Sequence, residues 1–222
     1  AGRLGAAREV GRVGAVGVAA VAVGRAPRVG SVVTGHAGKA AGTPEVRYQR
    51  DDANSYILRG LGARDGGVLE AQYRLRDDPD SIRDALVAPG ADVILVSGGS
   101  SVGSEDHAPQ LIAQVGELAI HGVAMRPSSP AGIGRIGDAL VFLLPGNPVS
   151  CLCAYDFFAG RAFRLQGGRA PQWPHRPLLS TVPRKIVSAI RRFDYCCVRR
   201  VDGTVAPLAR LGPLSFPRHT RA

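Results

Sequence analysis

Residues 91–99 read ADVILVSGG, and the four apolar residues Val93–Val96 stand without a polar interruption. Side chains of a strand alternate between two faces, so an unbroken apolar run requires cover on both sides. A central strand of a parallel sheet, layered between helices, meets that requirement. The run then passes into Ser97, Gly98, Gly99, Ser100, Ser101, Val102, Gly103, Ser104, Glu105 and Asp106. Glycines have no side chain to pack and let backbone N–H groups approach an anion, while hydroxyls donate to its oxygens. Open α/β sheets take their ligands outside the carboxyl ends of the strands, where this stretch falls.

The rest of the chain fits such a sheet. Pro27 precedes RVGSVVTG (28–35), a β-branched run that predicts a second buried strand. Residues 53–63 place Ile57, Leu58 and Leu61 at helical spacing, with Asn54 or Ser55 as cap, and a short strand is expected near 66–73. In RDDPDSIRDALVAPG the pattern predicts a helix with Asp80 as N-cap, Ile82, Leu86 and Val87 as apolar face, and Gly90 as the stop. A helix over 108–117, a strand over 117–125, a hairpin closing on a strand at 139–144, and a long helix from Asn147 to Gly167 and Gly168 follow. The alternation predicts an α/β fold, a doubly wound and mostly parallel sheet. From residue 169 the texture changes. RAPQWPHRP is a proline-rich linker, and the alternating segment after it carries Asp202-Gly203 as a hairpin signal. Three parts are expected: a remnant of an N-terminal domain at 1–24, the α/β domain at 25–168, and part of a small β domain at 178–222.

Composition narrows the function. With 222 residues, 45% of them hydrophobic, the chain can bury a real core. The net charge of +10 suits an anionic partner. Lysine occurs only at 39 and 185, and scattered arginines with 5% aromatic residues form no nucleic-acid motif. Cys151, Cys153, Cys196 and Cys197 lack the spacing of a zinc or redox site and read as reduced structural thiols of a cytoplasmic protein. The apolar run VGAVGVAAVAV is too short to span a bilayer and has no convincing cleavage site after it, so it reads as the tail of an upstream element.

Three strand ends are chemically unusual: Thr34-Gly35, SGGSSVG and LPGNPVS. Together they point to a phosphate-bearing or nucleotide-like ligand, with Glu105 and Asp106 placed to hold a divalent cation beside it. SGGSSVGSEDHA, LPGNPVSC, DDANSYIL and PRKIVSAIRRFDY resemble the molybdopterin molybdenumtransferase family, that is MoeA and the gephyrin E domain, over residues 19 to 209 or thereabouts. The resemblance implies the molybdopterin-binding fold. It also implies insertion of molybdate into adenylylated molybdopterin with release of AMP, a magnesium or other divalent cation, and a homodimer. On that pattern Ser97, Gly98, Gly99, Ser101 and Gly103 line the pterin-phosphate pocket. Thr34 and Gly35, Arg126, and Pro145, Gly146, Asn147 and Pro148 border it, and Ser188 joins them on the rim. Asp106 takes the metal-linked catalytic position, with Asp52 and Lys185 as further catalytic candidates; Asp52 and Asn54 match the family's Asp-x-Asn helix start.

This sequence also departs from the family. Where the family reads Thr-Gly-Asp-Glu, the chain has Thr34, Gly35, His36 and Ala37, and Lys-Pro-Gly-Lys-Pro becomes Arg126, Pro127, Ser128, Ser129 and Pro130. Arg126 keeps a charge, but a planar guanidinium does not replace an ammonium atom for atom. The family's long N-terminal region is largely absent. Two readings therefore stand side by side: a molybdenumtransferase, and a paralogue or fragment that binds molybdopterin without turnover. An adenylyltransferase of the same fold and a nucleic-acid binder are the weaker competitors; no membrane partner is expected.

Overall fold

The computed structural model describes residues 7–35, 38–39, 50–88, 90–99, 107–188 and 190–208. Helix α1 (Ala7–Ala15) is followed by β1 (Arg28–Thr34), the short paired strands β2 (Gly38–Lys39) and β3 (Arg50–Asp51), and α2 (Asn54–Asp65). Next come β4 (Val68–Leu75), α3 (Pro79–Val87), β5 (Val93–Ser97), α4 (Ala108–Val115) and β6 (Glu117–His121). The chain continues through β7 (Met125–Arg126), β8 (Gly132–Ile136), β9 (Ala139–Leu144), α5 (Pro148–Ala154) and α6 (Gly160–Gln166). Strands β10 (Phe193–Asp194), β11 (Val198–Val201) and β12 (Thr204–Pro207) complete it.

The principal sheet has six strands in the order β4-β1-β5-β9-β8-β6. Strands β4, β1, β5 and β9 are parallel, whereas β8 and β6 run antiparallel. After β1 the chain first builds outward to β4 and then returns across β1 to β5, which makes the gap between β1 and β5 a topological switch point. The all-buried pattern of β5 matches the apolar run that predicted it. Val93 and Leu95 face one layer with Leu58 of α2 and Cys151, Ala154 and Phe163 of α5 and α6. Ile94 and Val96 face the other, with Ile82 and Leu86 of α3 and Ile112 of α4.

Several local expectations need correction. Asp78, not Asp80, caps α3: its carboxylate accepts from the Ser81 amide at 2.9 Å, and Pro79 takes the first helical position, where its missing N–H costs nothing. Val87 lies outside the buried face and is exposed. Neither Asn54 nor Ser55 caps α2; Asp52 accepts from the Ser55 amide at 3.0 Å, which frees the Asn54 side chain. The strand expected over 117–125 stops at His121, because Gly122 turns the backbone at φ 86°. The long helix after Asn147 widens into a π turn at Tyr155–Ala159 between α5 and α6.

A buried ionic cluster ties α2 to this widened helix. Arg164 Nη1 stands 2.7 Å from Asp65 Oδ1, while Arg64 Nη2 bridges Asp65 Oδ2 at 2.8 Å and Asp156 Oδ1 at 2.5 Å. Beyond residue 169, β11 and β12 form the hairpin that Asp202-Gly203 predicted, and β10 pairs in parallel with β7. No helix among the described residues is long and apolar enough to cross a membrane.

Candidate ligand site at the strand ends

The carboxyl ends of β1, β5 and β9 lie side by side, since Val33 pairs with Ser97 and Ser97 with Leu144. Gly98 follows at φ 91° and Gly99 at φ 52°, both in the left-handed region. A Cβ on Gly98 would stand 2.2 Å from the Thr34 carbonyl oxygen. The backbone leaving β5 is therefore pressed against the end of β1, and only glycine fits there. Gly35 turns away from β1 at φ 148°.

Asn54, at the start of α2, bridges two of these ends. Its Nδ2 donates to Ser97 Oγ at 2.8 Å and to the Gly146 carbonyl at 2.9 Å. Both bonds fix the amide orientation, so Oδ1 points the other way, buried and with no partner among the described residues. Thr34 Oγ1 is in the same condition. Buried polar atoms are nearly always hydrogen-bonded in native proteins, so two orphans at adjoining strand ends mark a place where a ligand or solvent supplies the partner. Beneath Ser97, Cys151 Sγ lies 3.7 Å from its hydroxyl. Burial pushes the Cys151 thiol up to about 12, and it stays neutral at physiological pH.

Asp52 sits just outside this cluster. It accepts from the Ser55 amide and hydroxyl, and from Arg74 Nε on β4 at 2.7 Å. Burial alone would raise its pKa, but the bonds from Ser55 and Arg74 together outweigh it and hold the carboxyl below its ordinary value. The ionised Asp52 anchors the entry to α2 and thereby positions Asn54. Asn147 caps α5 by accepting from the Ser150 amide at 3.2 Å, with Pro148 as the first helical residue. In the neighbouring loop Ser128 adopts φ 100°, unusual for a residue with a Cβ, and its hydroxyl donates to the Ser150 carbonyl at 2.6 Å. Arg126 precedes that loop and pairs with Asp194 of β10 at 3.2 Å.

The structure thus brings together Thr34, Gly35, Ser97, Gly98, Gly99, Pro145 and Gly146, with Asn147 and Pro148 beside them. Ser101, Gly103 and Asp106 lie outside the described residues, as do Glu105, His36 and Ala37. Lys185 and Ser188 belong to an exposed segment, where Ser188 Oγ donates to the Arg192 carbonyl at 3.4 Å. Among the described residues no group of three or more His, Cys, Asp or Glu is placed to hold a metal ion. Sequence reasoning missed Arg74, Cys151 and Asp194. Each acts through a partner more than twenty residues away, and no local pattern signals such pairs.

Residues 31–164 match the family described as "Probable molybdopterin binding domain". The match covers more than half of the chain, and the chain belongs to that family. Among curated relatives, molybdopterin molybdenumtransferase 2 of Mycobacterium tuberculosis is 30% identical over 205 residues, 88% of this chain and 51% of that protein. Molybdopterin molybdenumtransferase of Nostoc sp. is 31% identical over 159 residues, 69% of this chain and 36% of that protein. A crystal structure of the molybdopterin biosynthesis MoeA protein from Pyrococcus horikosii superposes with a TM-score of 0.77 at 26% identity, covering 91% of this chain and 50% of that one. Sequence and fold are therefore MoeA-like, and the chain spans between 36% and 51% of the length of these relatives.

Proposed function

We propose that this chain binds molybdopterin at the strand-end cluster and serves the molybdenum-insertion step of cofactor biosynthesis, with adenylylated molybdopterin and molybdate as substrates and AMP as the released product. The observation that carries the reading is the meeting of Gly98, backed onto Thr34, with the buried and half-satisfied Asn54 and Thr34 at the switch point between β1 and β5. The Gly98 N–H is taken by the Leu144 carbonyl at 3.3 Å, so the Gly99 N–H is the main-chain donor offered to a phosphate, and the orphaned Asn54 oxygen accepts from an N–H donor of the ligand. Ser97 and Gly146, held by one amide, keep the β5 and β9 ends at fixed separation. Ionised Asp52 acts through Asn54 as a positioning residue.

Asp106, with Glu105, would hold magnesium or another divalent cation in this reading. Arg126 and the exposed Lys185 and Ser188 would form a rim that attracts oxyanions. A homodimer and a cytoplasmic setting belong to the same proposal. A second reading, binding without turnover, is favoured by His36-Ala37 in place of Asp-Glu and by Ser129 in place of the second loop lysine. The purified chain, given adenylylated molybdopterin with and without molybdate and magnesium, separates the two. Molybdate-dependent AMP release, lost in Asp106→Ala, supports the transferase; saturable binding with no AMP supports the binding protein.

A further inference from the structure

We infer that Cys153 and Cys197 are a redox pair, two thiols placed to close into a disulfide that ties α5 to the segment after β10. The four cysteines do not pair along the chain. Cys151 and Cys153 are two residues apart on α5, where 3.6 residues per turn sends their side chains to opposite sides. Cys196 and Cys197 are neighbours, with Cα atoms about 3.8 Å apart, short of the roughly 4.4 Å at which relaxed disulfides begin. Cys151 packs in one apolar layer with Tyr155 and Phe163, whereas Cys153, also buried, belongs to neither layer of the sheet.

The outer side of the helix is met by β10 and the residues after it. Phe157, one turn beyond Cys153, packs against Phe193 and Tyr195, with ring centroids 5.0 and 6.0 Å away. The Tyr195 amide donates to the Arg126 carbonyl at 2.7 Å, and the Cys197 carbonyl accepts from the Leu208 amide at 3.0 Å. The backbone between them is therefore held at both ends. Exposure alternates along it: Tyr195 and Cys197 are half-buried, and Cys196 between them is exposed. That period of two puts Cys197 on the side where Tyr195 meets Phe157, the side of the helix that carries Cys153. Electrostatics agrees with this placement, since the charge of Cys197 acts on Cys153 and both thiols act on the Tyr195 phenol. Cys196 Sγ turns instead to the Cys197 carbonyl at 3.7 Å.

Burial first, and then the charges of Cys197 and Asp156, push the Cys153 thiol up to about 12. The first attack therefore falls to the more accessible Cys197. Its thiolate attacks a sulfur of a low-molecular-weight disulfide such as glutathione disulfide; that S–S bond breaks, and one glutathione leaves as the thiolate. The Cys153 thiol then loses its proton to water and attacks the Cys197 sulfur, and the second glutathione leaves. Two protein thiols are oxidised, and one glutathione disulfide is reduced to two thiols. The closed bond fixes α5, whose Asn147 cap borders the strand-end cluster, to the segment that pairs with β7. The pair is independent of which ligand those strand ends take.

The test treats the full chain with glutathione disulfide and maps the products by intact mass and peptide mass spectrometry, before and after dithiothreitol. Cys196→Ser serves as background because it removes the exposed competitor. In that protein two thiols should be lost with no glutathione retained, one cross-linked peptide should join positions 153 and 197, and Cys151 should stay reduced. Dithiothreitol should restore both thiols. Adding Cys153→Ala should leave one glutathione held on Cys197, and adding Cys197→Ser should leave no cross-link. The oxidised background protein should melt at a higher temperature than the reduced one, a gain absent from the Cys197→Ser protein. A lasting glutathione adduct on Cys197 with Cys153 present overturns the pair, as does a cross-link between any other two cysteines. No thiol loss in the folded Cys196→Ser protein overturns it as well. Should Cys153→Ala fail to fold, Cys197→Ser decides: loss of the cross-link supports the pair, and its persistence overturns it.

Discussion

At the ends of β1, β5 and β9, Ser97, Thr34 and Asn54 are buried and the backbone is pressed close enough to exclude a methyl group at Gly98. Between Leu178 and Ile190 the opposite holds: Leu179 is 99% and Ile190 92% exposed. The first region has its geometry imposed by two packed layers and a six-stranded sheet; the second is tied to the β11–β12 hairpin through Thr181, whose amide donates to the Gly203 carbonyl and whose carbonyl accepts from the Val205 amide, each at 2.9 Å. The contrast teaches where function is built. A site that must hold fixed donors and acceptors sits on the rigid scaffold, and the apolar side chains of the second region contribute little to holding it.

The sharpest way to break this contrast is to compare buried and exposed truncations. Arg164→Ala leaves Asp65 buried without its closest cation and is expected to cost about 3–5 kcal/mol in urea unfolding. Phe163→Ala, in the core beneath α2, should cost about 3–5 kcal/mol as well. Leu179→Ser should change stability by no more than about 0.5 kcal/mol, and a larger loss would show that the segment is packed against something. Asn54→Ala removes the donor to Ser97 and Gly146 and should cost about 1–3 kcal/mol, together with ligand affinity.

A pH-dependent effect lies at the opposite end of the sheet. Asp92 is held at about 2, first by its hydrogen bond from Arg25; burial, the next largest influence, pushes the other way and is outweighed once the Arg28 amide and the charges of both arginines are added. Its folded value is depressed from 3.8, so the stabilisation is full above that pH and is lost as pH falls toward 2. Melting temperature followed from pH 5 to pH 2 should fall less steeply in Asp92→Asn than in the parent.

Much of the α/β body was legible in the sequence. Unbroken apolar runs identified β5 and β9 because both faces of a central strand are covered, and glycine with hydroxyls after β5 marked the ligand edge. Helix caps were less legible: Asp78 and Asp80 flank the same proline, and only the position of Pro79 at the first helical turn decides between them. The π turn at Tyr155–Ala159 has no periodic signature, and the meeting of its Asp156 with Arg64 is a contact across the layer that spacing along the chain does not show. The partners that finish the site, Arg74 for Asp52 and Asp194 for Arg126, are fixed by strand register and not by spacing along the chain.

In the proposed function the strand-end cluster is a molybdopterin site whose floor is the glycine backbone of residues 98–99. The most direct test is equilibrium binding of molybdopterin to the parent chain, Gly98→Ala and Leu179→Ser, with each protein first shown to be folded. Saturable binding by the parent and by Leu179→Ser, weakened at least tenfold in Gly98→Ala, is the predicted result. Equal binding by a folded Gly98→Ala protein, or none by the parent, would contradict it.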